Sequence, residues 1–247
     1  MTATYNTSDP ATNHLLDFIA GGVPGNEMGE SAGCYDATFG DITGSTYGDL
    51  SRKSLAEIYN MQDSMYASNN TSTATGRYQG LKGTIQEYQH RNGLPSSTMF
   101  TEALQDDFGL AKMVDRGYQS WWNGDIDDNE FMNRLSCEWA SLPDPYNGGR
   151  SHYEGDSAGN SASTSLACFQ AALDQARDYI EDGGRRQRPE PPEPEPPLVG
   201  VVDDATRGIK MIQRTLVLTG DLDGRDDVDG AWGSRSQAAL DNLISRS

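Results

Sequence analysis

The chain has 247 residues, 37 Asp and Glu against 19 Lys and Arg, and a formal net charge of −18. A surface this acidic repels phosphate backbones and disfavours a nucleic-acid partner. No apolar run approaches the ~20 residues of a spanning helix, which argues against a membrane-embedded protein. Four Trp and eleven Tyr supply enough aromatic mass to argue against global disorder.

The first stretch, Met1–Asn13, is polar and has neither a basic nor an apolar segment, so no secretory signal is expected. Asp9-Pro10 reads as a helix start, with Pro in the first helical position. Leu15, Leu16, Phe18 and Ile19 give that helix an apolar side, and Gly21-Gly22 ends it. Gly21 to Leu50 holds eight glycines without periodicity, which predicts loop or short hairpin. Ser54 and Glu57 have capping-box spacing and open a helix carrying Leu55, Ile58, Tyr59 and Met65. A further helix is expected from Gly76 to about Gln89, and another from Thr101 with Leu104, Phe108 and Ala111 on one side. Phe131, Leu135, Trp139 and Leu142 recur every three or four residues until Pro143, which predicts one helix. Leu166, Phe169, Leu173, Ala176 and Ile180 make the strongest amphipathic pattern. No alternating run is long enough for a large sheet, so the first domain is expected to be mainly α.

Gly183–Pro197 carries six prolines with acids between them, an extended and semi-rigid spacer. The expected division is a catalytic domain over 1–182, a Pro-rich linker over 183–198 and a small helical domain over 199–247. Cys34, Cys137 and Cys168 form no CxxC pair and read as neither a zinc site nor a disulfide framework. Reduced and buried thiols are the expectation.

Glycan cleavage needs a carboxylic acid that keeps its proton near neutral pH, and burial in an apolar pocket supplies one. Among so many acids only context can select it. Gly29-Glu30-Ser31-Ala32-Gly33-Cys34-Tyr35-Asp36-Ala37-Thr38-Phe39-Gly40 is similar to the ESGG-x-YNA-x-YG segment of lambda-type phage endolysins and related muramidases. Leu15–Ala20 (LLDFIA) resembles the helix that precedes it. Ser72-Thr73-Ala74-Thr75-Gly76-Arg77-Tyr78-Gln79 looks like the family's S-x-A-x-G-R-Y-Q, and Trp139–Pro143 reads WASLP. The ordered set covers roughly residues 13–180. The resemblance implies an α+β lysozyme-like fold, with Glu30 as catalytic acid.

It also implies a sugar groove lined by the Gly-Arg-Tyr-Gln turn. Tyr78 would pack on a ring, Gln79 would bond an acetamido group, and Ser72 would orient that group. Arg77 reads equally as groove lining or as a structural ion pair. Tyr146, His152 and Tyr153, in a Gly-rich loop, are candidates for a groove wall. Trp139 lies on an apolar face and reads as core. Cys34 sits near Glu30 but has no His placed to activate it. One departure stands out: Gly21–Met28 lies between the LLDFIA helix and Glu30, where the family has almost nothing. Glu27, inside that insertion, is the rival acid.

The resemblance implies a lytic transglycosylase. One acid/base protonates the glycosidic oxygen, and the C6 hydroxyl of N-acetylmuramic acid then attacks its own anomeric carbon. Asp36 and Asp41 are near in sequence but unmarked as a second carboxylate. The alternative is a noncatalytic wall-binding or virion structural protein with a degenerate site, which the insertion makes credible.

Ile212–Leu216, Val228–Gly233 and Gln237–Leu240 resemble a three-helix peptidoglycan-binding module, which would tether the enzyme to its substrate. Asp221, Asp223, Asp227 and Asp229 suggest a calcium loop, but Asp226 stands where such a loop needs Gly, and Trp232 where it needs Glu. No metal or other cofactor is expected. The partners implied are bacterial peptidoglycan and, for a virion-borne enzyme, phage tail or virion proteins. The location is the virion or tail, or the host cytoplasm with release to the cell wall; a bacterial effector is a further option.

Overall fold

The computed structural model describes residues 6–181, apart from 70 and 157. The linker over 183–198 and the wall-binding module over 199–247, including the turn at Trp232, lie outside the described residues.

Helix α1 (Pro10–Ala20) starts where the carboxylate of Asp9 accepts the amides of Ala11 and Thr12 at 3.0 and 3.1 Å. It stops at Gly21, whose φ of 95° suits glycine. Helix α2 (Leu55–Asn69) opens on the expected capping box: Glu57 accepts both the amide and the hydroxyl of Ser54, each at 2.7 Å. Helices α3 (Lys82–Arg91) and α4 (Glu102–Asp115) follow, α4 capped by the Thr101 hydroxyl on the Leu104 amide at 3.2 Å. The buried face of α4 is Gln105, Phe108, Gly109 and Met113, displaced from the expected one because Leu104 and Ala111 are only half-buried.

Helix α5 (Tyr118–Trp122) is a single turn behind Gly117, too short to show periodicity in sequence. Helix α6 (Asp128–Ser136) is followed by a two-stranded antiparallel hairpin, β1 (Pro143–Asp144) with β2 (Arg150–Ser151), and by α7 (Leu166–Glu181). The described part is therefore mostly helical.

Two predicted helices end differently from expectation. Residues 76–79 are turn and the helix starts only at Lys82, because Gly76 (φ 78°) and Gln79 (φ 49°) adopt left-handed backbone and Thr75 bridges to Gly80. Trp139 and Leu142 lie beyond α6, yet the Trp139 amide still bonds the Leu135 carbonyl and the Leu142 amide the Trp139 carbonyl. Such turns keep apolar residues on the inward side without a continuous helix.

Helix α1 lies against α7 and α4. Phe18 stacks on Phe169, with ring centroids 5.4 Å apart. Tyr118, Trp121 and Phe131 form an aromatic stack that Arg177 caps, its guanidinium carbon 4.6 Å from the Trp121 ring centroid. The three cysteines are free, as expected, but each is half-buried rather than buried.

His14 sits between α1 and α7, its ring 5.9 Å from Tyr179 and its Nε2 buried without a partner. Burial lowers its pKa below 6.5, against the opposing pull of Asp17 and the Ala172 backbone. The folded state then binds fewer protons than the unfolded state, so this site withdraws stability as pH falls below about 6.5. The denaturant midpoint of His14→Phe, measured against wild type from pH 7.5 to 5.5, should rise relative to wild type as pH falls. A constant difference across that range would refute the reading.

Candidate active site

Glu30 is returned to the end of α1 by main-chain hydrogen bonds. Its amide donates to the Ile19 carbonyl at 3.1 Å, and the amides of Ser31 and Gly33 donate to the Ala20 carbonyl at 2.9 and 3.1 Å. These carbonyls belong to the last turn of α1, where no intrahelical partner exists. The insertion loops out and comes back: Gly22 donates to the Glu27 carbonyl, and Val23 bridges to Asn26. A Cβ at Gly21 would stand 2.3 Å from the Met28 carbonyl oxygen, and one at Gly29 2.4 Å from the Gly21 nitrogen, so this approach needs glycine at both positions. Asn26 is fully buried, donates to the Phe18 carbonyl at 2.8 Å and accepts the Gly29 amide at 3.0 Å. Glu27, the rival acid, is exposed, and its carboxylate accepts the nearby Gly25 amide at 3.2 Å.

The three sequence motifs meet here. Phe39 donates to the Ala74 carbonyl at 2.8 Å, Gly76 to the Ala37 carbonyl at 2.7 Å, and the Ser31 hydroxyl to the Arg77 carbonyl at 2.8 Å. These bonds join the Glu30 segment to the Gly-Arg-Tyr-Gln turn. Trp139 donates from its indole nitrogen to the Tyr78 carbonyl at 3.3 Å, and the Ser141 amide donates to Glu30 Oε1 at 2.9 Å. Glu30 itself is half-buried. Burial raises its carboxyl above the usual carboxylate range; the Ser141 hydroxyl and amide pull it back in part, and the charge of Glu138 pushes it up again. The arrangement favours a carboxyl that holds its proton.

Two candidate groove residues turn inward. Arg77 is buried, its Nη2 on Asp17 Oδ1 at 2.6 Å and its Nη1 on Asp106 Oδ1 at 3.0 Å. The guanidinium lies over the rings of Tyr35 and Tyr78. Of the two readings open for Arg77, this geometry is the structural ion pair. Tyr78 is 3% exposed, its ring against Gly109 and its hydroxyl donating to Asp106 at 2.8 Å. That burial leaves little of the ring face accessible, although Tyr78 also lines the small cleft beside Gln79.

Gln79 is half-exposed, its side-chain amide donating to the Gly76 carbonyl at 2.8 Å. It lines a small cleft with Leu81, Thr84, Glu138 and Trp139; Glu30 is not part of that lining. Ser72 is half-exposed at the start of the same segment, its hydroxyl accepting the Ala74 amide at 3.2 Å. Trp139 is buried, as its apolar face predicts.

The hairpin hangs from the residue before Ser141, since the Ser151 hydroxyl donates to the Ala140 carbonyl at 2.7 Å. It presents Tyr146, 66% exposed, and leads into Tyr153, whose hydroxyl donates to the Cys137 carbonyl at 2.6 Å. His152 Nδ1 lies 3.0 Å from Asp144 Oδ2 and 3.6 Å from Cys137 Sγ. Both neighbours meet the same ring nitrogen, so the cluster lacks the relay of a thiol nucleophile. Burial also pushes the Cys137 thiol up, away from thiolate. Among the described residues no group of three or more His, Cys, Asp or Glu could hold a metal ion.

Sequence reasoning missed Ser141, Glu138 and Asn26. Ser141 lies inside the WASLP segment, but no local signal gives its role, because it meets Glu30 across 111 residues of chain.

A half-buried carboxyl at a helix exit, among three converging motifs, defines a mainly helical protein with one acid set apart from its many surface acids. Residues 14–160 match the Endolysin family model, and the chain belongs to that family, phage lysins that degrade peptidoglycan. No curated protein and no solved structure matches the chain.

Arg77→Met should cost about 3–5 kcal/mol, because it strands two carboxylates against a buried, uncharged side chain. Denaturant unfolding measures this. A loss below about 1 kcal/mol would restore the groove-lining alternative for Arg77.

Proposed function

We propose that the chain is a muramidase with a lysozyme-like catalytic domain, cutting the β-1,4 bond between N-acetylmuramic acid and N-acetylglucosamine by lytic transglycosylation. Glu30 is the single acid/base. The observation that carries this reading is the Glu30 carboxyl, half-buried and raised above the ordinary carboxylate range, fixed by the Ser141 amide where the three motifs meet. Protonated, it donates to the glycosidic oxygen; as carboxylate, it takes the proton of the C6 hydroxyl that closes the anhydro ring. No water is consumed.

The carboxylate whose charge acts on Glu30 supports the single-acid reading. Glu138 is held by Lys112 Nζ at 3.1 Å and Arg116 Nη2 at 2.6 Å, and its side chain is only 13% exposed. A carboxylate neutralised by two cations makes a poor nucleophile or base. Gln79 and Ser72 are the acetamido-binding candidates of the groove, and Tyr146 and Tyr153 its aromatic wall. Arg77 and Tyr78 support the groove from beneath. The C-terminal module tethers the enzyme to the wall. The enzyme acts from the host cytoplasm after release to the wall, or from the virion.

Glu30→Gln should lower turnover on purified peptidoglycan by about 10²–10⁴-fold while sedimentation with the wall persists. The released fragments should end in 1,6-anhydro-muramic acid. Reducing muramic ends would replace the transglycosylase with a hydrolase. Full activity of Glu30→Gln would remove Glu30 from the chemistry, and a wild-type protein that binds peptidoglycan without clearing it in a zymogram would be a noncatalytic wall binder.

A further inference from the structure

The carboxyl of Glu30 does not stand alone; it rests on Ser141, and Ser141 rests on the inserted loop. The Ser141 carbonyl accepts the Ser163 amide at 2.8 Å and the Ser163 hydroxyl at 3.2 Å. The same hydroxyl lies 2.7 Å from Asn26 Oδ1. Asn26 is fully buried and is anchored to the Phe18 carbonyl on α1. A continuous polar chain thus runs from α1 through the insertion to the residue that holds the acid.

Ser141 offers Glu30 more than its amide. Its side chain is buried, and Oγ has no partner in hydrogen-bonding geometry, on the same residue whose amide holds Glu30 Oε1 at 2.9 Å. A buried hydroxyl without a partner is uncommon and costly, so its retention on the residue that holds Glu30 calls for a reason. A hydroxyl turns about a single bond and can donate or accept. A protonated carboxyl offers it only a weak, neutral acceptor. Beside a carboxylate it gains a charge-assisted acceptor.

We propose that Ser141, braced by Ser163 and Asn26, is the positioning residue of the acid: its amide fixes one Glu30 oxygen throughout, and its hydroxyl swings onto the carboxylate once the proton has left. The step needs no co-reactant. The proton moves from Glu30 to the glycosidic oxygen, the Ser141 O–H stays intact, and its hydrogen bond lapses when the proton returns from the C6 hydroxyl. The other charged groups near this site are Glu138, which opposes ionisation, and Lys112 and Arg116, which Glu138 already engages. Ser141 therefore supplies the donor that those groups do not. The inference rests on Glu30 as the acid.

The test is the pH profile of kcat for the full-length Ser141→Ala enzyme on purified peptidoglycan, with the denaturation midpoint checking the fold. Removing a donor to the carboxylate raises the carboxyl pKa, so the basic limb, where the acid loses its proton, should move to higher pH. The plateau kcat should fall about tenfold with KM nearly unchanged. Carbon-13 NMR titration of the Glu30 carboxyl in the unliganded variant should move the same way, a readout independent of turnover. Ser141→Thr, which keeps the hydroxyl, should restore the wild-type limb. A folded Ser141→Ala enzyme with an unmoved limb and an unmoved carbon-13 titration would sink the proposal. An active Glu30→Gln enzyme would sink the reading of Glu30 itself, so the two failures are told apart.

Discussion

Two carbonyl groups at the end of α1 decide where the acid stands. The last turn of any helix leaves carbonyls without intrahelical partners, and something must satisfy them if they are covered. Here the Ile19 and Ala20 carbonyls are taken by the amides of Glu30, Ser31 and Gly33. The segment that carries the acid is also the C-terminal closure of the helix. Moving Glu30 would strand covered carbonyls at the edge of the core, where Phe18 and Ile19 are packed. The position of one reactive side chain thus follows from a backbone need that has nothing to do with chemistry.

Arg77 does the corresponding work on the other side. It pairs with Asp17 of α1 and Asp106 of α4, and its own amide bonds the Gln105 side chain at 2.8 Å. Burial alone would discourage the charge on Arg77, but the Asp17 carboxylate that it hydrogen-bonds favours it, and the net direction is up. A point charge could not meet two carboxylates and two tyrosine hydroxyls at once; a planar fork of donors can. The turn that follows is fixed on its main chain, which leaves Gln79 as the member of the Gly-Arg-Tyr-Gln set whose side chain stands half in solvent. The motif reads as a row of ligand-facing residues, yet two of its three side chains face inward.

What could be read from sequence follows the range of the forces involved. The start of α1 at Asp9, the Ser54–Glu57 box and the Thr101 cap are contacts within three residues, and each is found where its residue types predict it. The amphipathic stripe of α7 is equally local. The turn at 76–79 was hidden because its left-handed residues include Gln79, whose type gives no warning, and because its partner, Ala37, is distant in sequence. Trp139 and Leu142 kept a helical period across a turn. Periodicity reports which side of the chain faces the core and is blind to whether the hydrogen bonds are continuous. The place of Glu30 was legible only through its block of neighbours. Ser141, which holds it, could not be found from spacing.

The insertion before Glu30 is best understood through the relative size of two terms. Closing a longer loop costs little, about 0.6 kcal/mol for each doubling of its length. Against this, each hydrogen bond of Asn26 contributes about 1 kcal/mol, and Asn26 makes them to the Phe18 carbonyl, the Gly29 amide and the Ser163 hydroxyl. The entropy of the excursion is therefore offset within the excursion itself. A chain under that balance can lengthen between helix and acid without moving either, provided that the residues at the neck can pass backbone against backbone. Gly21 and Gly29 meet that condition. The loop that made the acid look displaced in sequence is, in the fold, one of the things that holds it in place.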